Sequence, residues 1–390
     1  MTEARRTYGS GALGELALLY ARLGITAFGG PAAHIAMMEH ELVRRSQWLT
    51  HEEFLDLLGV VNLIPGPNST QMAIQIGYRI AGWPGLLICG ICFILPAAVV
   101  TLILAWLYVS YGALPQTGAI LHGVKAVMVA VILHAIWNLS RTAVKTKFLA
   151  AIGALAVLTN ALGLHIVLVL FGAGVLAIAV KQMTTLKSLP ARSLALVVPR
   201  IALGSVAGSV GATAPLGLLP LFMFFMKTGA VLFGSGYVLL AFLRTDLVVR
   251  LRWLTDRQLL DAIAVGQVTP GPLFTTATFI GYLLAGVRGA TVATIGIFLP
   301  SFILIAILGP FLPRLRKSAV FGAFLDGVNI GALALMVVVT WQLGRTVLVD
   351  VTGVMLALLS LMALLRFKIN STWLILAGAI VGSIAGKSSA

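Results

Sequence analysis

Asn62-Leu63-Ile64-Pro65-Gly66-Pro67-Asn68-Ser69-Thr70 returns later in the chain as Gln267-Val268-Thr269-Pro270-Gly271-Pro272-Leu273-Phe274-Thr275. Two prolines around a glycine cannot continue a helix, because each proline lacks the N–H donor and clashes with the preceding turn. Apolar sequence lies on both sides of each triplet. An opened backbone at membrane depth is tolerated only where protein or a water-filled cavity satisfies its polar groups, so each Pro-Gly-Pro is expected to line a solvated path. Asn68 to Gln71, and Thr275 with Thr276 to Thr278, then start new helices whose free N–H groups and positive dipole ends suit an anion. The competing structural reading is a proline kink or tight loop between membrane helices, and the duplication weighs against it.

Composition makes this a polytopic all-α membrane protein: of 390 residues, 59% are hydrophobic and 10% charged, with mean hydropathy +1.04. No charged n-region with a short apolar core and a small-residue cleavage site opens the sequence, so no cleaved signal peptide is expected. The formal charge is +15, yet no Asp or Glu occurs between Asp56 and Asp246. Such a basic excess is read as loop charge facing the lipid head groups and the membrane potential rather than as a nucleic-acid surface. An interior poor in carboxylates favours anionic cargo, because cation routes are marked by buried Asp or Glu. Cys89 and Cys92 sit in an apolar run and read as core packing; no Cys/His cluster suggests a metal, and no cofactor or enzyme chemistry is expected.

The repeat decides the architecture. At a shift of 205 residues Arg22 falls on Lys227, Phe28 on Phe233, Glu41 on Asp246, Trp48 on Trp253 and Asp56 on Asp261; after a one-residue deletion Gly77, Gly85, Pro96, Gly123 and Trp137 fall on Gly281, Gly289, Pro300, Gly327 and Trp341. The first repeat is placed at 1–181, a linker at 182–215 with Lys187, Arg192 and Arg200, and the second repeat at 216–390. Each half reads as an apolar segment (12–33; 216–238), a charged amphipathic stretch (34–56; 239–261), a re-entrant hairpin of two short segments around Pro-Gly-Pro, and four longer apolar segments. About five crossings per half is an odd number, so the second half is expected to insert upside down, an inverted-topology repeat. Loop charge agrees at 112–117, which has no Lys or Arg where its counterpart holds Arg314, Arg316 and Lys317. The stretch with Arg244, Arg250, Arg252 and Arg257 disagrees, unless it forms an interfacial helix.

Basic residues in or beside apolar segments snorkel or serve a function. Arg288 is assigned to snorkelling, whereas Arg22 and Lys227, related by the repeat, are expected to bind substrate. Arg79 follows the first Pro-Gly-Pro by about three turns, and i, i+4 spacing stacks it with Gln71 and Gln75 on one helix face. Where the first half has His122 and Lys125, the second has Asp326 and Asn329. Lys125 therefore joins the binding set and Asp326 is the candidate coupling carboxylate, with helix capping or a salt bridge to Lys125 as its structural alternative. Gly29, Gly30 and Gly234 of the glycine-rich turns complete the candidate site, together with Asn62 and Gln267. Glu41 with Arg45 and Asp246 with Arg250 read as structural i, i+4 pairs, and Trp48 and Trp253 as interfacial anchors.

Phe28-Gly29-Gly30-Pro31, Trp48-Leu49-Thr50, Phe54-Leu55-Asp56, Pro65-Gly66-Pro67, Gly77-Tyr78-Arg79-Ile80-Ala81-Gly82 and Leu95-Pro96 together resemble the chromate ion transporter family, in its long two-domain bacterial form. The second half repeats the pattern, departing from it at Ser235 and at Tyr282-Leu283. The resemblance implies chromate export across the bacterial cytoplasmic membrane and chromate resistance, with sulfate as the look-alike anion. The expected partners are that anion and the lipid bilayer, and a homodimer is left open. Two other classes compete. An anion channel needs no coupling group, and a membrane enzyme acting on phosphorylated lipid wants paired acids or a Ser/His/Asp set, which the loops lack.

Overall fold

Each hairpin starts at a threonine. Thr50 accepts from the Glu53 amide while the Glu53 carboxylate accepts from the Thr50 amide, and Thr255 with Gln258 makes the same reciprocal cap in the second half. The computed structural model describes residues 12–28, 30–111, 115–186, 216–233, 236–309, 318–367, 369 and 371–388. Gly29, Gly234, Ser235, Arg314, Arg316, Lys317 and the linker charges Lys187, Arg192 and Arg200 lie outside the described residues.

No strand occurs among the described residues. The first half comprises α1 (Ala12–Thr26), α2 (Gly30–Glu39) continued by a π-helical turn (His40–Arg45), α3 (His51–Val61), α4 (Asn68–Tyr111), α5 (Pro115–Ala143), α6 (Lys147–Ala161) and α7 (Ile166–Leu186). The second comprises α8 (Leu218–Val231), α9 (Leu239–Leu243) continued by a π-helical turn (Arg244–Arg250), α10 (Asp256–Val268), α11 (Thr276–Leu308), α12 (Ala319–Val347), α13 (Val351–Met362) and α14 (Ser371–Ser388). Even the backbone exceptions recur: Gln47 (φ 51°) and Arg252 (φ 54°) hold the left-handed conformation at equivalent positions.

Both α4 and α11 break at one repeat position, Ala81 with Gly82 (φ 64°, ψ −145°) and Ala285 with Gly286 (φ 60°, ψ −151°). The chain doubles back there. A Cβ on Gly77 would lie 2.2 Å from the Gly85 carbonyl oxygen, and one on Gly281 would lie 2.3 Å from that of Gly289. Before the break in α4 lies a half-length helix of about 13 residues; after it a crossing helix covers on the order of 40 Å at 1.5 Å per residue. Trp83, Leu87, Ile91, Leu95, Val99 and Ile103 form an exposed apolar stripe on that crossing helix.

Among the described residues, four helices are long and apolar enough to cross a membrane: Asn68–Tyr111, Gly118–Ala143, Leu273–Leu308 and Ala319–Val347. The other apolar segments among the described residues are shorter helices, such as Lys147–Ala161 and Val351–Phe367, so each half shows two long apolar spans where about five crossings are expected. The cause is local punctuation. Thr146 caps the start of α6, for example, and Gly163 (φ 91°) follows its end.

The halves interlock by exchanging helices. α12 packs on α6 and α7, whereas α13 and α14 pack on α5, and α4 packs against α11. Glycines allow the close crossings: a Cβ on Gly123 would meet the Gly378 backbone at 2.0 Å, and one on Gly327 would meet that of Ala173 at 2.3 Å.

Candidate functional site

The two Pro-Gly-Pro loops reach into opposite halves. The Gly66 amide donates to the Leu232 carbonyl (2.7 Å) at the end of α8, and the Gly271 amide donates to the Ala27 carbonyl (2.9 Å) at the end of α1. Gly66 (φ 128°) lies beside Ser301 of α11 and Gly271 (φ 83°) beside Ala97 of α4; these two residues are repeat mates near the middle of their crossing helices. Both glycine amides are thus satisfied by carbonyls of the opposite half. In α4 the donors left by helix geometry are the first amides, at Asn68, Ser69 and Thr70.

The two loops differ chemically. Around the second, Thr275 Oγ1 donates to the Pro272 carbonyl (2.9 Å) and Thr276 Oγ1 to that of Leu273 (2.8 Å), while Pro270, Gly271, Pro272, Leu273 and Phe274 are buried. Around the first, Gln71 Nε2 donates to the Pro65 carbonyl (2.5 Å), but Gln71 Oε1, Thr70 Oγ1 and Ser301 Oγ are buried without a hydrogen-bond partner. Gln75 Oε1 and Gln267 Nε2 are in the same condition.

A cavity of about 730 Å³ opens beside the first loop. Asn62 and Asn68, joined by a 2.8 Å hydrogen bond, line it on the hairpin side; His134 and Asn138 of α5, Lys145, and Asp326 and Asn329 of α12 line it elsewhere. Asp326 is paired there with Lys145 (2.7 Å) rather than with Lys125. His122, the repeat mate of Asp326, pairs with Asp350 (3.0 Å), one position beyond the repeat mate of Lys145.

None of the expected basic residues lines that cavity. Arg22 pairs with Glu41, which also holds Arg45 (3.0 Å); Lys227 pairs with Asp246 (3.5 Å), which also holds Arg250 (3.6 Å). Their symmetry therefore reflects two equivalent tethers between α1 or α8 and the π-helical turns. Burial opposes ionisation of Glu41, but Arg45 and Arg22 hold its carboxyl below the usual range. Arg79 is exposed and reaches Glu53 (3.3 Å) at the hairpin base, off the buried face of Gln71 and Gln75. Glu53 is likewise held below the usual carboxylate range, first by the Thr50 backbone amide and then by the Thr50 hydroxyl and Arg79. Arg288 is exposed, and Gly30 (φ 80°) opens α2.

Lys125 is buried and faces Asp261 of α10, with Nζ 2.7 Å from Oδ1 at an angle outside hydrogen-bond geometry. Tyr108 of α4 donates to the other carboxylate oxygen (2.8 Å). The repeat mates are Asn329, on the cavity, and the exposed Asp56. Sequence reasoning missed Asp261, Tyr108, Lys145 and Ser301; the pairing of Asp261 with Asp56 across the repeat was the only signal available for the first of these.

Residues 14–178 and 219–383 each match the profile of the family described as Chromate transporter. The chain is 33% identical over 388 residues to the Chromate transport protein of Cupriavidus metallidurans, covering 96% of this chain and 93% of that one. It is 32% identical to the Probable chromate transport protein of Synechococcus elongatus (95% of each) and 30% identical to the Chromate transport protein of Pseudomonas aeruginosa (94% and 91%). No solved structure matches. With its long apolar helices it is a multi-pass membrane protein, and the chain belongs to the chromate transporter family.

Proposed function

We propose that this chain is a secondary transporter that exports chromate across the bacterial cytoplasmic membrane by alternating access, and so confers resistance, with sulfate as a competing oxyanion. In this reading residues 1–181 and 216–390 are inverted repeats joined by the linker 182–215, and each α3–half-helix pair is a re-entrant hairpin. One observation carries it: the two loop tips are held by the opposite half, beside mid-helix residues Ser301 and Ala97. Tips entering from opposite faces and meeting at mid-depth are the geometry of a central anion site built from half-helix ends. The chemical difference between the halves supports two access states. Asn329 lines the cavity, whereas its mate Lys125 is buried against Asp261, which Tyr108 also holds.

Export needs no added drive in principle, since an inside-negative potential favours outward anion movement by about 2.3 kcal/mol per charge per 100 mV. Asp326 keeps its proposed coupling role as the carboxylate that an entering oxyanion competes with for Lys145; unchanged flux and pH dependence in Asp326→Asn would remove that role. The test is chromate flux in proteoliposomes under an imposed potential. Saturable flux is expected. Absence of flux, or the conductance of an open channel, refutes the reading.

A further inference from the structure

One arginine ties elements of the second half together where their counterparts in the first half stand apart. Arg244, which opens the π-helical turn after α9, donates from Nε to Asp256 at the head of α10 (2.8 Å) and from Nη1 to Gln342 Oε1 of α12. Around this contact α9 and the short turn before it pack on α12, and Leu240 and Leu343 are buried. Moving each partner by the repeat offset puts Glu39 in place of Arg244, His51 in place of Asp256 and Asn138 in place of Gln342. Glu39 does meet His51 (3.3 Å), so the first contact recurs with acid and base exchanged. The second does not recur. Asn138 has its Nδ2 3.2 Å from His134 Nε2 and lines the cavity, and no packing of α2 on α5 comparable to that of α9 on α12 occurs among the described residues. The cavity of about 730 Å³ occupies that gap, with Pro31, Ala33 and Ile35 on the α2 side and His134, Asn138 and Leu139 on the α5 side.

The chemistry for the missing contact is nevertheless present. An amide side chain has a carbonyl that accepts and an NH2 that donates, so it serves a guanidinium through its oxygen or a carboxylate through its nitrogen. An amide therefore suits both 138 and 342, although its partner changes sign from Glu39 to Arg244. Both contacts are of the charge-assisted kind, which is stronger than a bond between neutral groups. We infer that Arg244–Gln342 and Glu39–Asn138 are two latches that alternate. The first holds α9 on α12 in the conformer described here; the second forms when the first releases, drawing α2 onto α5 across the cavity. Arg244 and Gln342 are then positioning residues, acting on the access state without touching the anion. This inference rests on the alternating-access reading and names the contacts that exchange within it.

The experiment follows two cysteines, introduced one at a time into the full-length chain in liposomes: Leu139→Cys on the cavity wall and Leu343→Cys at its buried repeat mate. A membrane-impermeant maleimide is added from each face in turn, and the parent chain supplies the background from Cys89 and Cys92. Leu139→Cys should be labelled readily from one face, and Leu343→Cys slowly from the other. Gln342→Met removes the acceptor but leaves the Arg244–Asp256 pair, and should speed labelling of Leu343→Cys about tenfold, the worth of one hydrogen bond to a charged group. Gln342→Glu gives Arg244 a charged partner, and should slow both that labelling and chromate flux, a direction that lost packing cannot produce. Should Leu343→Cys fail to assemble, Val347→Cys, the buried mate of the cavity residue Ala143, repeats the measurement. Faster labelling in both Gln342 variants, or an unchanged rate in both while chromate still alters labelling, overturns the latch and leaves alternating access standing. Buried-mate cysteines that are never labelled, under chromate gradients or potentials of either sign, overturn both.

Discussion

Replacing Lys125 by methionine isolates the energetics of the contact that joins α5 of the first half to α10 of the second. The aliphatic stem is kept, but Asp261, whose side chain is 1% exposed, loses the ammonium 2.7 Å away and retains only the Tyr108 hydroxyl. Removing one member of a buried pair costs about 3–5 kcal/mol, since the remaining charge is stranded in a medium that solvates it poorly. The surviving Tyr108 bond places the expected loss near ~3 kcal/mol, the lower end of that range. Removing both charges, as Lys125→Met with Asp261→Leu, should recover most of it, because two apolar groups of similar size leave no charge behind. The measurement is a double-mutant cycle on equilibrium unfolding in mixed micelles. A coupling term of a few kcal/mol favouring the double variant is expected. If Lys125→Met unfolds with an unchanged midpoint, or the double variant is worse than the sum of the singles, the contact is not the clamp described here.

Gly77→Val should abolish monodisperse protein on size exclusion, because a Cβ there lands 2.2 Å from the Gly85 carbonyl oxygen and backbone cannot yield. Gly82→Ala meets no atom within 4 Å yet holds φ 64°, ψ −145°, so its cost is backbone strain alone, about 1–3 kcal/mol in thermal unfolding. Arg22→Gln should leave chromate affinity intact and change stability by less than about 1 kcal/mol, as the Arg22 side chain is half exposed and Arg45 still pairs with Glu41. Acidification should loosen the start of α3. The Glu53 pKa is depressed, so its contribution is fully present above the unfolded carboxylate value and is lost as pH falls through the lower folded one; hydrogen exchange at Thr50–Phe54 reads this, and Glu53→Gln should remove the dependence.

The broken loops, the repeat and the two capping boxes were legible because each depends on neighbours in sequence: Pro-Gly-Pro stops a helix wherever it stands, and Thr50 with Glu53 needs only a three-residue spacing. Arg22 and Lys227 were legible as equivalents but not as tethers. Their partners Glu41 and Asp246 were visible only as i, i+4 mates of Arg45 and Arg250 until α1 and α8 folded back over them. Arg79 lies off the face of Gln71 and Gln75 because positions i, i+4 and i+8 drift around the helix: both glutamines are buried, while Arg79 is exposed and turns to Glu53.

By itself the sequence determined that this is a membrane protein of two related halves with a broken element in each, because hydropathy, proline chemistry and internal similarity act along the chain. Only the tertiary structure decided which charges meet. The halves exchange α6 and α7 for α13 and α14, so Lys145 reaches Asp326 while Lys125 turns to Asp261. It also decided that one loop keeps unpaired oxygens beside Ser301 while the other, against Ala97, has none to spare. Such pairings span up to about half the chain, and no local rule of spacing encodes which face of one helix will look at another.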